Sequence, residues 1–555
     1  MKCPREHSNY LRPRFYLRSF KVARALLFPV FALSCSSDPG TAITVAVAPP
    51  EAKVATCSSR EFSATVTGTS NQSVTWSVDP AAGSIDAKGH YVSPLDASRS
   101  SVSVIATSVA DPHASARAQV TLATAFPGAP VDASPADKKH TGGTYVGIYQ
   151  HAIVARGSRA YALWTSEGNV YVARTDDAGA TFKPPVKVND KDPKDEAMGC
   201  GALAIDAANP DVVYAVYQFP GSTYTEDPNG QSVSTSGIAL ATSLDGGATF
   251  KNHVLNIGGV SGGPMGWNGV GSCPDVTSPG GDTVVVEEPG VYNGDGNPDM
   301  YVFSDAHRGA GFASGESLDG DYLANGHTMG LARAMFDGVP LGISQNGGES
   351  PRLFTDGAGK LCATYVGWKD ANQQRSVFFQ CSNDGGATFS PPAMVDASLA
   401  GGVPAVSTGA FARDGSMLIA ELVRTAGASG GSVYVTISPK GGSLGAPNRV
   451  NSYALPGQTA AAAATDVDLR VDDQGIVWLS YGVEGFRVVV DKSCDGGKTW
   501  SGPVLVNGKT NGDVDYRTSS GLVTFDAGRV GVLSWGLVSN GLDPERLSLF
   551  PLFVR

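Results

Sequence analysis

The chain has 555 residues with 69 Gly and 34 Pro, roughly 19% turn-formers against an average nearer 12%. Charged residues make up 17% and hydrophobic ones 42%, which is too apolar for disorder and too rich in breakers for coiled coils, helical solenoids or most α/β enzymes. A net charge of −11 argues against nucleic acid or an anionic membrane as a partner, and short regular turn spacing predicts an all-β protein.

The first 24 residues carry seven Lys or Arg and one acid, Glu6, and a nine-residue apolar run, 25–33, follows. That run is too short to span a bilayer and suits the core of a signal peptide. Ala32-Leu33-Ser34-Cys35 resembles a bacterial lipobox, with Ala32 where Leu is usual. The resemblance implies cleavage before Cys35 and its lipidation, so that 1–35 is signal and lipobox and 36–42 a tether. Loss of 1–34 takes the net charge from −11 to −17. The expected location is the outer membrane or cell surface, or the medium, with the membrane reached only through the lipid. No other segment is apolar and long enough to cross.

Residues 43–124 alternate in short strands (ITVAV, EFSATVTG, VTWSVDP, SVSVIATS, ARAQVTLA) and read as one small sandwich with Trp76 as its core plug. Val74-Thr75-Trp76-Ser77-Val78-Asp79-Pro80, Gly83-Ser84-Ile85-Asp86 and Gly89-His90-Tyr91 resemble the bacterial Ig-like (group 2) family. The resemblance implies a spacer or adhesive module without chemistry of its own.

From residue 128 to 555 an internal repeat organises the chain. Four segments read S/T-x-D-x-G-x-T-F/W, with their acids at Asp177, Asp245, Asp384 and Asp495. Each follows a strand and suits a tight turn: the carboxylate accepts backbone N–H groups, Gly supplies positive φ, and the aromatic ring plugs the core. These segments resemble the Asp-box, or BNR repeat, of sialidase-like β-propellers. In that family the boxes lie on the rim away from the active site, so these four Asp residues are structural. Degenerate copies at Ser304-Asp305-Ala306-His307-Arg308-Gly309 and Ser438-Pro439-Lys440-Gly441-Gly442-Ser443 give intervals of 68, 61, 78, 56 and 55 residues, one four-stranded blade each. The final strands GLVTFDA, VGVLSWG and LSLFPLFV lack a fourth partner, which the segment 128–134 can supply to close the ring. The count is then seven blades, or six if the third unit is not a full blade.

The cysteines fit an exported protein. Cys362 and Cys381 flank a hairpin symmetrically and are expected to pair; Cys200 and Cys273 precede two consecutive units and form a second candidate pair. Cys57 and Cys494 have no obvious partner. There is no CxxC and the His residues are scattered, against a zinc site.

The resemblance to sialidases implies an Arg cluster for a substrate carboxylate and a Tyr nucleophile. Candidate residues are Arg352, Arg470, Arg517 and Tyr516, the last loosely similar to the nucleophile segment through Tyr516-Arg517-Thr518-Ser519. The family's early Phe/Tyr-Arg-Ile-Pro motif is absent. Asn293-Gly294-Asp295-Gly296-Asn297-Pro298-Asp299 resembles the calcium loop of FG-GAP propeller repeats, with Val291 in place of the first acid; Asn293, Asp295 and Asp299 are the expected calcium ligands. Gly427-Ala428-Ser429-Gly430-Gly431 matches G-x-S-x-G but lacks the following helix that a nucleophile elbow needs. Tyr224, Trp267 and Trp368 suit either sugar stacking or loop packing. The sequence therefore predicts a monomeric exported propeller on an Ig-like stalk, recognising glycans or cell-surface proteins. The alternative is an exo-sialidase-like glycoside hydrolase.

Overall fold

The computed structural model describes residues 42–134, 152–166, 169–189, 201–224, 233–258, 274–290, 299–309, 333–334, 349–368, 375–395, 402–425, 430–450, 454, 463–483, 487–506, 515–537 and 546–553. Among these residues the regular structure is strand, apart from one 3-10 turn at Asp526–Gly528, and no helix is long and apolar enough to cross a membrane.

The N-terminal β-unit has three sheets. Its main sheet runs in the order Glu51–Ala55, Ser115–Ala123, Ser101–Ser108, Val74–Asp79, the first pair being parallel. Thr44–Ala48 pairs with Ser63–Thr67, and Ser59–Glu61, His90–Val92 and Ser84–Ile85 form the third sheet. Period-2 alternation buries Val102, Val104 and Ala106 from one strand and Ala118, Val120 and Leu122 from its neighbour. Tyr91, fully buried and donating to the Ala82 carbonyl at 3.0 Å, takes the centre of this core. Trp76, expected as the plug, is only half-buried at its edge, because its strand Val74–Asp79 is the sheet's outermost.

Residues 152–553 form seven antiparallel meanders. Their innermost strands are, in order, Ile153–Arg156, Gly201–Ile205, Asp275–Gly280, Glu349–Thr355, Gly402–Phe411, Asp468–Val471 and Asp515–Phe525. Each of these strands packs beside the next, and the seventh packs beside the first, so the ring is closed. We number the sheets one to seven in that order. Both faces of each sheet are covered by its neighbours, which is why the second strands read as apolar runs such as Val477–Val483, buried at every position.

The seventh sheet joins the two ends of the ring. Asp515–Phe525, Arg529–Leu537 and Arg546–Phe553 supply three strands; Phe126–Pro127 and Val131–Asp132 pair with the last of them, Val131 opposite Leu549 and Asp132 opposite Ser548. The third sheet is completed by the short outer strand Arg333–Ala334.

The box turns repeat one network. In the second sheet Thr249 donates its backbone N–H to Asp245 Oδ1 at 2.9 Å and its hydroxyl to Oδ2 at 2.6 Å, while Ser243 Oγ donates to Oδ1 and accepts from Gly247 N, both at 2.8 Å. Asp177, Asp384 and Asp495 make equivalent bonds to Thr181, Thr388 and Thr499. The degenerate copy in the third sheet shifts by one residue: Asp305, not the aligned Ala306, accepts from Gly309 N at 2.7 Å and His307 N at 3.0 Å. Cys362 and Cys381 stand directly opposite in register and form a disulfide. Cys57 and Cys494, without an assignable partner in the sequence, also form one; their separation of 437 residues hides the pair from any local pattern. Cys35, Cys200 and Cys273 lie outside the described residues.

Candidate functional site

The seven innermost strands enclose a cavity of about 570 Å3. Its described wall lies along those strands and in two turns that leave them, 206–207 and 356–357. In a meander the turn after the first strand and the turn after the third share one face, so this mouth shares its face with the box turns.

The wall mixes chemistries. Arg156, Asp206, Asp356 and Arg470 bring charge; Thr277, Ser278, Thr355 and Thr524 bring hydroxyls; Phe354, buried between the fourth and fifth sheets, and Phe411, with Lys360 Nζ 4.8 Å over its ring, bring apolar edges. Several of these groups are held by second partners. Arg156 Nη1 donates to the Asp206 carbonyl at 2.7 Å. The Asp206 carboxylate is buried and accepts Ala208 N and Asn209 N at 2.8 Å and Tyr214 Oη at 3.1 Å. Burial, with the nearby Asp206 charge, pushes the Tyr214 hydroxyl above its ordinary range.

Arg470 is positioned by Asp468, two residues earlier and therefore on the same side of the strand. The Asp468 carboxylate is fully buried; Oδ1 accepts Leu469 N at 2.8 Å and pairs with Arg470 Nη1 at 2.9 Å, and Oδ2 accepts Leu522 N from the seventh sheet at 2.9 Å. Arg470 Nη1 also donates to the Leu469 carbonyl at 3.0 Å, and its side chain is 20% exposed. It is thus a fixed guanidinium on the cavity wall.

Arg352 has other surroundings. It is buried on the innermost strand of the fourth sheet, and Leu353 rather than Arg352 reaches the cavity wall. Glu287, opposite Asp275 in the third sheet, interacts with its charge. Asp275 ties the two sheets as Asp468 does, accepting Val276 N at 2.9 Å and Leu353 N at 2.7 Å. Glu287 is fully buried, and neither carboxylate oxygen has a hydrogen-bond partner among the described residues. Desolvation raises its pKa well above the carboxylate range, the Asp275 charge adds to that, and Arg352 opposes it. Within the fourth sheet Tyr365 donates to Gln380 Oε1 at 3.0 Å; burial and then the Glu287 charge push its hydroxyl up.

Tyr516 and Arg517 occupy the start of the strand Asp515–Phe525, whose register shifts between Arg517 and Gly521. Leu522 N meets Asp468, so Arg470 stands near the level of Thr524 and Tyr516 lies roughly 20 Å away along the channel, at about 3.3 Å per residue less the bulge. The innermost strands thus place Arg470 near one end of the channel, Tyr516 and Arg517 toward the other, and Arg352 between sheets. Asn293 and Asp295 lie outside the described residues, as does Trp267, and Asp299 opens the strand Asp299–Asp305. Among the described residues no cluster of His, Cys, Asp or Glu has the makings of a metal site.

No family model and no curated protein matches the chain. Solved structures do. An α-L-arabinofuranosidase from Fusarium graminearum matches at 12% identity over 77% of this chain and 98% of its own, with a TM-score of 0.41. A polysaccharide lyase of family PL25, an ulvan lyase bound to a glucuronate–sulfated rhamnose ligand, matches at 12% identity over 74% and 94%, with a TM-score of 0.45. A Hadza microbial sialidase matches at 12% identity over 83% and 75%, with a TM-score of 0.35.

Sequence reasoning missed Asp206, Asp275, Glu287 and Asp468. The available signal was an acid directly following an apolar run, as Glu287 follows Val284-Val285-Val286, where burial demands a partner or a shifted pKa.

Proposed function

We propose that this protein is an exported glycan-recognising propeller, its ring carried on the N-terminal Ig-like unit, and that ligand enters the central cavity beside Arg470. One observation carries the reading. The cavity wall combines donors, acceptors and hydroxyls with the apolar edges of Phe354 and Phe411, the mixture that suits a polyhydroxylated ring with one apolar face. Arg470, held by Asp468, adds an oriented donor for a carboxylate or hydroxyl. Two disulfides support an oxidising destination, and the basic, then apolar, leader supports export. The hydrolase reading needs Arg352, Arg470, Arg517 and Tyr516 at one point. Their strand positions, and the carboxylates around Arg352, favour binding over that chemistry.

The test is a panel of neutral and uronate- or sialate-bearing glycans, scored for binding and for turnover. Wild-type protein is expected to bind at least one class without consuming it. Arg470→Gln is expected to weaken that binding about tenfold, the loss of one charge-assisted bond. Absence of binding across the panel refutes the reading, and turnover replaces it with the hydrolase.

A further inference from the structure

The N-terminal unit reads from sequence as a spacer, yet its last strand ends at Ala123 and the ring's closing strand begins at Phe126. Two residues separate them, and both are buried: Thr124 fully, Ala125 to 1% exposure. Ala125 packs in one core with Trp478 and Val490 of the sixth sheet and Leu522 and Phe550 of the seventh. A swinging hinge has no place in that connection.

Four further contacts join the N-terminal unit and its exit segment to the sixth sheet. Thr124 Oγ1 donates to the Gly502 carbonyl and accepts from Ser501 Oγ at 3.2 Å. Ala97 donates its backbone N–H to the Ser501 carbonyl at 2.8 Å. Cys57 is bonded to Cys494, the second residue of the sixth sheet's box. The receiving turn is itself anchored inward, because Asp491 Oδ1 accepts Gly502 N at 2.9 Å and Ser501 Oγ at 3.2 Å.

These contacts stand beside the seam of the ring. Among the described residues only the seventh sheet takes strands from both ends of the ring, so opening the ring means withdrawing 126–132 from Arg546–Phe553. We infer that the N-terminal unit is a brace on that seam, docked on the sixth sheet, and that the Cys57–Cys494 disulfide is its clasp, opened by a dithiol reductant. The exchange balances: the dithiol gives two electrons and two protons, the S–S bond becomes two thiols, and the dithiol becomes a cyclic disulfide. The clasp closes a loop of 437 residues, so it limits how far the unfolding chain ends can separate.

The full-length protein is digested without reductant and its peptides mapped, then probed by limited proteolysis and thermal unfolding with graded dithiothreitol. The expected result is a linked pair of peptides carrying Cys57 and Cys494, cleavage within 124–134 that rises as that link is lost, and a Tm lowered by several degrees. C57S/C494S should reproduce that cleavage without reductant, whereas C362S/C381S should leave 124–134 protected. Free thiols at Cys57 and Cys494, or 124–134 equally protected with and without the link, overturn the inference. Should C57S/C494S fail to fold, the graded reduction of wild-type protein decides alone. Neither outcome depends on whether a glycan binds.

Discussion

Single carboxylates do unlike work in this ring according to what meets them. Asp275 and Asp468 each bond a backbone N–H of the next sheet, supplying between sheets the polar contact that neighbouring strands supply within one. Asp468→Ala leaves Leu522 N without that acceptor and Arg470 without its counter-charge; a cost of about 2–4 kcal/mol is expected in denaturant unfolding, with Asp468→Asn milder. Equal stability of Asp468→Ala and wild type would refute the role. Glu287 is the opposite case, a buried carboxyl whose folded pKa is raised above the ordinary 4.5. The unfolded chain releases this proton before the folded one does, so the group's contribution is full below pH 4.5 and is lost as pH rises through the folded pKa. Glu287→Gln keeps the shape and removes the titration. Its Tm should match wild type near pH 4.5 and fall less steeply above it; parallel pH profiles would contradict this.

At the scale of the element, the box turn was legible because everything that makes it lies within eight residues. The Asp384 carboxyl is held down at about 2 by the Thr388 hydroxyl and N–H and the Ser382 hydroxyl, bonds the spacing alone foretells. A lowered folded pKa contributes above the ordinary 3.8 and is lost as pH falls through about 2, so this box loosens only in strong acid. The third-sheet turn shows where spacing misleads: the alignment marks Ala306, and the structure gives the work to Asp305. Asp305→Ala should therefore cost about 1–2 kcal/mol in thermal or denaturant unfolding, like Asp384→Ala, since each frees turn N–H groups. Ala306→Ser should be neutral. The candidate site was less legible for the same reason that the box was clear. Arg470 was visible as an Arg on an innermost strand, but its anchor to Leu522 spans 54 residues between Asp468 and the next sheet, and no local pattern encodes that.

For the whole molecule, the all-β ring followed from repeat spacing, and even the segment that closes it, 128–134, was marked by the final three strands lacking a fourth partner. The attachment of the N-terminal unit could not, since it rests on Cys57–Cys494 and Thr124–Gly502, contacts between segments hundreds of residues apart. That attachment matters because the outer strands of the ring are not equivalent. Val504–Leu505 of the sixth sheet follows its neighbour directly in the chain, so fraying it leaves the ring closed. Val131–Asp132 comes from the opposite end, held by pairing with Leu549 and Ser548, by the Ser548 hydroxyl on Asp132 at 2.9 Å, and by Ser134 Oγ accepting Leu547 N at 2.9 Å. A Pro at either place cannot donate to the ladder, a local cost of about 3 kcal/mol. Val131→Pro should also expose Arg546–Phe553 as an open edge, a template for pairing with another chain. It should lower the Tm more than Val504→Pro and bring concentration-dependent aggregation in light scattering. Equal Tm losses and no aggregation would mean that the ring stays closed without this strand.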